Sequence, residues 1–263
     1  MKAIILAAGE GKRLQPLTKD NPKCMVKLFG KSILEQQIKT FQDSGIKEII
    51  VVTGYKKEKI KISNIKKYTN DDFETTNMLE TLFCVKEELF DSVIISYGDI
   101  IYEKHVLDLL IKSEENFSVI IDKEWKKYWK IRMVDPINDV ESLKIDLEGY
   151  ITNIGESVDN INEIQGQYIG LMKFQNQGLS IMKKFYEDTK KNAEITGENS
   201  LNPKIPFKKS YITDFIRGLI NSGQKIKSIP IENGWLELDT YKDFQIYTKM
   251  FDEKTISKIF EVK

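Results

Sequence analysis

Apolar runs and amphipathic stretches alternate through the first half of the chain. Ala3–Ala7 is an unbroken apolar run rich in branched residues, the pattern of a strand buried on both faces. Ser32-Ile33-Leu34-Glu35 is a capping box and Gly45 stands where a helix would end, so the spacing predicts a helix between them. A second apolar run, Glu48–Val52, follows. Asn77-Met78-Leu79-Glu80 sets an N-cap before an acid at N3 and opens a helix to about Leu89. Val93–Ser96 is a third run, ending at Gly98-Asp99; Glu103–Ser113 predicts a helix and Phe117–Ile121 a fourth strand. This alternation predicts an α/β fold with a Rossmann-like, doubly wound, mostly parallel sheet and right-handed crossovers.

The pattern changes after Asp122. Ser142–Leu147 and Tyr150–Ile154 flank Glu148-Gly149, a hairpin signal. Gln167–Phe174 is another strand, followed by helices over about Gly178–Lys191 and Tyr211–Ser222. Asn192–Lys209, with Pro203, Pro206 and Gly197, predicts a loop. Lys225–Ile229 and Trp235–Leu238 are late strands, and Thr240 caps a last helical stretch. The second half is expected to complete the same sheet with antiparallel additions rather than fold as an independent domain.

The densest chemical signal sits at the end of the first run. Leu6-Ala7-Ala8-Gly9 leads into Gly11, Arg13-Leu14, Pro16-Leu17-Thr18 and Pro22-Lys23. Gly9 and Gly11 let backbone N–H groups approach a ligand that a Cβ would block, and Arg13 and Lys23 add positive charge, so the loop suits a polyphosphate. It is not a P-loop, because Lys12 follows Gly11 directly and no Ser or Thr follows it. It is not a dinucleotide fingerprint either, because Leu14 stands where a third Gly or Ala belongs.

Further polar residues fall at carboxyl ends of strands, where open α/β sheets bind ligands. They include Thr53-Gly54-Tyr55, Gly98-Asp99, and Glu237 with Asp239, which share one face of an extended segment. Two carboxylates beside a phosphate loop suit Mg²⁺, which is held by one or two carboxylates plus substrate phosphates. The single histidine, His105, and the isolated Cys24 leave no Ser-His-Asp or Cys-His set. Phosphoryl-type transfer fits this inventory, since positioning and charge neutralisation supply most of its catalysis.

Composition narrows the field further. Lys plus Arg equals Asp plus Glu at 40 each, which excludes a general nucleic-acid or membrane-surface binder. No segment has the ~18 apolar residues of a membrane span, and the N-terminal run is too short for a signal peptide. Two cysteines, Cys24 and Cys84, make no disulfide framework, so a reduced, cytoplasmic setting is expected.

The N-terminal string resembles the signature of nucleotidyltransferases, and more specifically of cytidylyltransferases that activate small phosphorylated or phosphonylated metabolites. Thr76-Asn77-Met78 with Leu82 is similar to that family's helix start beside the cytosine. Asp122, Trp125, Tyr128-Trp129 and Arg132 resemble a segment of its phosphonate and phosphoglutamine members. Glu163, Gly166-Gln167-Tyr168 and Gly170 resemble a strand of the same members, and Asn233–Thr240 the stretch carrying their second metal-binding Asp.

The resemblance covers residues 2 to about 248. It implies CMP transfer from CTP with Mg²⁺, with phosphoglutamine as the favoured acceptor and surface-polysaccharide modification as the use. In its terms Leu6, Ala7, Ala8, Gly9, Gly11 and Gly98 line the nucleotide site with Thr76 and Asn77, and Asn77 helps read the base. Arg13 and Lys23 meet the phosphates, while Asp99 and Asp239 hold the metal. Tyr128, Trp129, Arg132, Glu163, Tyr168 and Glu237 are expected to face the acceptor. Arg132 suits an acidic group on it, and Trp125, Tyr128 and Trp129 form a rival cage for a quaternary ammonium.

The implied organisation is one domain over 1–263, with a nucleotide-binding half at 1–121, an acceptor-binding half at 122–250 and a C-terminal helix at 251–263. A homodimer is among the expectations. Phosphocholine, 2-aminoethylphosphonate or a sugar 1-phosphate as acceptor, and a non-catalytic nucleotide sensor, remain open at this point. Glu10 departs from the family pattern by setting an acid beside the phosphates.

Overall fold

The computed structural model describes residues 1–262. Its strands in chain order are β1 (Lys2–Ala7), β2 (Lys27–Leu28), β3 (Lys31–Ser32), β4 (Ile49–Thr53), β5 (Lys66–Thr69), β6 (Ser92–Tyr97) and β7 (Ile100–Tyr102). The second half adds β8 (Phe117–Asp122), β9 (Leu143–Ile145), β10 (Ile151–Ile154), β11 (Gln167–Gln175), β12 (Lys227–Ile231) and β13 (Trp235–Glu237). The helices are α1 (Ile33–Asp43), α2 (Met78–Phe83), α3 (Lys104–Ile111), α4 (Trp125–Arg132), α5 (Gln177–Thr196), α6 (Ile212–Asn221) and α7 (Tyr241–Asp252).

Seven strands form the central sheet in the order β12-β8-β11-β6-β1-β4-β5. β1 pairs in parallel with both β4 and β6, β4 with β5, and β8 with β12. β11 runs against both of its neighbours, β6 and β8. The expected antiparallel additions therefore amount, within this sheet, to β11 alone; β12 rejoins the parallel set. β9 and β10 form the expected hairpin, and β13 pairs antiparallel with β7 outside the main sheet.

Side chains alternate across a strand, so β1 feeds two cores. Ala3, Ile5 and Ala7 pack into one apolar cluster with α1 and α3, while Ile4 and Leu6 pack into another with α2, α5 and α6. Burial on both faces is why β1 is an apolar run without alternation. The capping box at Ser32 and Glu35 is present, with the Glu35 N–H donating to Ser32 Oγ at 3.2 Å.

The last helix begins where Thr240 is expected to cap it, but no separate helix follows it. It runs from Tyr241 to Asp252 behind a Thr240–Asp243 capping box and is followed by a short 3-10 turn at Ile256–Lys258, so the described residues after Asp252 form no α-helix. The helix expected to end near Lys191 continues to Thr196 and stops at Gly197, whose φ of 75° provides the left-handed cap. Among the described residues no helix is long and apolar enough to cross a membrane.

Candidate active site

β1, β4 and β6 all point their carboxyl ends at one rim of the sheet. There the chain must pass close to itself. A Cβ on Gly98 would lie 2.6 Å from the Leu6 carbonyl oxygen, so only glycine lets β6 turn against β1 at this level. Gly11 has a φ of 67°, and a Cβ there would meet Lys23 Cβ at 2.9 Å. Gly11 thus provides both the left-handed turn and the passage for the lysine side chain. Gly9 differs, because a Cβ there would meet nothing within 4 Å; packing does not demand this glycine, and it keeps the loop backbone open to the cavity. Thr18 Oγ1 donates to the Gly11 carbonyl at 2.9 Å and ties the loop down.

The loop borders a cavity of about 390 Å³ lined by Leu6, Ala7, Ala8, Gly9, Gly11, Lys12, Arg13 and Lys23 from the first segment. Asn77, Met78 and Thr81 form a second wall, with Gly98, Asp99, Tyr211 and Asp239 completing it. A second cavity of about 270 Å³ shares Arg13, Met78, Asp99, Tyr211 and Asp239 with the first. Beyond that common wall it is lined by aromatic Tyr97, Trp129, Tyr168 and Trp235 and by acidic Asp139, Glu141 and Glu237.

Charge concentrates on the common wall. Lys23 Nζ donates to Asp99 Oδ2 at 2.7 Å and to Asp239 Oδ1 at 2.9 Å, and Arg13 Nη2 reaches Asp239 at 2.9 Å. Burial works to lower the Lys23 pKa, but Asp99 and Asp239 outweigh it and hold the ammonium above its ordinary value. Burial likewise pushes the Asp239 carboxyl up, yet Lys23 and then Arg13 pull it below its ordinary value. The Glu237 carboxyl goes the other way: burial raises it, Arg132 opposes, and the like charges of Asp99 and Asp239 push it up further. Burial pushes the Cys24 thiol up to about 12, so Cys24 is packing and not a nucleophile.

The donor set fits a divalent cation. Asp99 Oδ1 is buried and has no hydrogen-bond partner, an arrangement that costs free energy unless a ligand meets that oxygen. With Asp239 alongside it, two carboxylates border the cavity that faces the glycine loop, the complement Mg²⁺ takes when phosphates supply further oxygens.

Most of the sequence-derived site gathers here, but Asn77, Thr76, Glu163, Arg132, Tyr128 and Trp125 do not sit as expected. Asn77 lines the first cavity, yet its amide is engaged: Oδ1 accepts from the Met78 N–H at 2.8 Å and Nδ2 donates to the Lys209 carbonyl at 3.2 Å. Thr76 is held in the preceding loop, its Oγ1 donating to the Asp72 carbonyl at 2.8 Å. Glu163 is exposed beside Lys144 and lines neither cavity.

Arg132 departs furthest. Its side chain is 1% exposed, and its fork is taken by Asp243 and by Glu237, the latter at 2.6 Å. The guanidinium is buried and lines neither cavity. Trp125 and Tyr128 are likewise fully buried, so the three-aromatic cage is not formed; Trp129 alone of that trio borders the second cavity, its Nε1 donating to Asp139 at 2.9 Å.

Sequence reasoning missed Tyr211, which borders both cavities, and Asp139 and Glu141. Tyr211 was legible only as a helix start. The Glu141 backbone is clamped by Gln167, whose Nε2 donates to the Glu141 carbonyl at 2.6 Å.

The chain is similar to known proteins over most of its length. The nucleotidyl transferase family model matches residues 2–82. Across 258 residues the chain is 37% identical to the CTP:phosphoglutamine cytidylyltransferase of Campylobacter jejuni, covering 94% of this chain and 98% of that one. It is 36% identical over 117 residues to the choline-phosphate cytidylyltransferase of Streptococcus pneumoniae, covering 43% and 51% of the two chains. The solved structure of the S. pneumoniae CTP:phosphocholine cytidylyltransferase superposes with a TM-score of 0.71 at 21% identity, covering 95% of this chain and 98% of that chain. The inositol-1-phosphate CTP transferase of T. maritima gives 0.69 at 18% identity, covering 99% and 98%.

Proposed function

Because the chain belongs to the nucleotidyltransferase family, we propose that it is a cytidylyltransferase that transfers CMP from CTP to a small phosphorylated acceptor and releases pyrophosphate. The observation that carries this reading is the pair of cavities joined at one charged wall. The first, with its glycine loop, suits a nucleoside triphosphate. The second suits an acceptor whose phosphoryl group reaches Arg13, Asp99 and Asp239.

In the reaction an acceptor phosphoryl oxygen attacks the α-phosphorus of CTP. A new P–O–P bond forms, the bond to the β-phosphate breaks, and pyrophosphate leaves with that electron pair. The attacking group is already largely anionic near pH 7, since phosphate monoesters have a second pKa of about 6, so no general base is required. Lys23, held charged by its two carboxylates, and Arg13 offset charge on the phosphates during transfer. Asp99 and Asp239 would hold Mg²⁺, which supplies Lewis-acid neutralisation of phosphate oxygens.

The acceptor assignment follows the near full-length relative, which acts on phosphoglutamine. The second cavity supports it. Asp139 and Glu141 beside four aromatic rings suit an acceptor carrying an ammonium group, as phosphoglutamine does. Phosphocholine is the second reading, because the same lining accommodates a quaternary ammonium. The free thiols of Cys24 and Cys84 support a reducing, cytoplasmic setting, and an activated product of this kind suits surface-polysaccharide modification.

Pyrophosphate release, measured for four NTPs against phosphoglutamine, phosphocholine, 2-aminoethylphosphonate and glucose 1-phosphate, tests the proposal. CTP with phosphoglutamine is expected to give the highest kcat/KM. Preference for UTP with a sugar 1-phosphate would overturn it.

A further inference from the structure

Glu237 and Asp239 flank Leu238, whose N–H donates to the Asp99 carbonyl at 2.8 Å. This bond, beside the pairing of β13 with β7, ties the backbone that carries Asp239 to that of Asp99. The segment around it is clamped from outside. The Glu237 N–H donates to Tyr128 Oη at 2.7 Å, and the Glu237 carbonyl accepts from Tyr247 Oη at 2.9 Å. The two hydroxyls also bond each other at 2.6 Å. On the far side of Leu238, Asp243 Oδ2 accepts from the N–H of Asp239 at 3.2 Å and from that of Thr240 at 2.8 Å.

Arg132 joins the two sides of the clamp. Its Nε and Nη2 donate to the two oxygens of Asp243 at 3.0 and 3.3 Å, and Nη1 donates to Glu237 at 2.6 Å. Its Cζ lies over the Tyr128 and Trp129 rings, 5.5 and 5.4 Å from their centroids. The start of α4 is anchored to the same strand, because Asp122 accepts from the Glu124 N–H at 2.8 Å and from Trp235 Nε1 at 3.0 Å.

We infer that Arg132 is a positioning residue: through Asp243 and Glu237 it sets the backbone from which Asp239 is presented to the reaction centre. A planar fork can hold two carboxylates in fixed directions, which an ammonium cannot. The inference rests on the assignment of Asp99 and Asp239 to a divalent cation, not on the identity of the acceptor.

The test compares the native protein with Arg132→Lys, which keeps a buried cation but loses the fork, and with Asp243→Asn, which keeps the shape but halves the grip. Mn²⁺ affinity is measured by electron paramagnetic resonance without substrates, and kcat and both KM values by pyrophosphate release. Groups that orient metal ligands typically matter by about 10–100-fold, so each variant should weaken Mn²⁺ binding by about tenfold or more and lower kcat. The acceptor KM should stay within about twofold of the native value, since Arg132 is buried and does not line that cavity.

A tenfold rise in acceptor KM with unchanged Mn²⁺ affinity would overturn the inference and return Arg132 to the acceptor. Unchanged values throughout would overturn it as well, and so would a native protein that binds no Mn²⁺. Inactivity toward every acceptor combined with weakened Mn²⁺ binding in both variants would overturn the proposed reaction while supporting the positioning role.

Discussion

Each end of β1 carries a lysine–carboxylate network, and the two networks are built to opposite plans. At the amino end, Lys2 donates to Glu88 at 2.8 Å, Lys66 bonds the same carboxylate, and Tyr68 Oη donates to it at 2.5 Å. One anion is met by three donors, and both Lys2 and Glu88 are nearly sealed from solvent. At the carboxyl end, Lys23 is shared between two carboxylates, Arg13 adds a bond to Asp239, the group borders a cavity, and one buried oxygen of Asp99 has no partner. The saturated network stabilises the native state. The unsaturated one retains capacity for a ligand, as expected where function outweighs stability.

The largest effect should come from the unsaturated end. Asp99→Asn and Asp239→Asn should each lower kcat by at least ~10²-fold, the scale of losing a transition-state charge stabiliser. Thermal unfolding should move little, because Asn is nearly isosteric and Lys23 keeps one carboxylate in either variant. Lys23→Ala should reduce kcat more than it raises the KM for CTP if the ammonium meets charge that develops during transfer. A rise in KM alone would make Lys23 a ground-state binder. A folded Asp variant with native turnover would remove that residue from the site.

The saturated end should respond in the opposite way. Glu88→Gln should cost about 1–3 kcal/mol of stability by leaving buried Lys2 with only its 3.3 Å contact to the exposed Glu48 carboxylate, with kcat unchanged in the molecules that remain folded. The pH dependence has a definite sign. Lys2 first, then Lys66 and Tyr68, hold the Glu88 carboxyl at about 2, below the ~4.3 of an unfolded chain. Its contribution is therefore complete above about pH 4.3 and is lost as pH falls toward 2. Urea titrations at pH 6 and pH 3 should show the native–variant gap shrink at the lower pH. An equal gap at both would exclude Glu88 ionisation as its cause.

The two ends also differ in how visible they are from sequence. The carboxyl-end loop is contiguous, so Gly9, Gly11, Arg13 and Lys23 could be read together, and the caps at Ser32 and Thr240 follow local chemistry. The amino-end network joins Lys2, Lys66 and Glu88 across long separations, and nothing local marks it. β5 escaped notice for a related reason: Lys66–Thr69 is a short, partly exposed edge strand, and lysine-rich edges lack an apolar pattern. Arg132 shows the limit most sharply. Its residue type suits an acid, but the acids it meets lie 105 and 111 positions away in the chain, and only the fold reveals that they already fill its fork.

The smallest effect is expected at Glu10, the acid that sequence alone sets beside the phosphates. Its carboxylate pairs with Lys12 at 3.2 Å, and it does not line the cavity that Lys12 and Gly11 border. The Lys12 side chain is 77% exposed, and ion pairs of this kind contribute about 0–1 kcal/mol. Removing the charge frees Lys12 and relieves weak repulsion of the triphosphate, so both effects favour nucleotide binding. Because 1.4 kcal/mol corresponds to a factor of ten, Glu10→Gln should lower the KM for CTP by no more than about fivefold. The change should shrink with added salt, as screening requires for exposed charges. A tenfold or salt-independent drop would mean that the carboxylate turns toward the phosphates when CTP binds, and the two networks would then differ less than their geometry indicates.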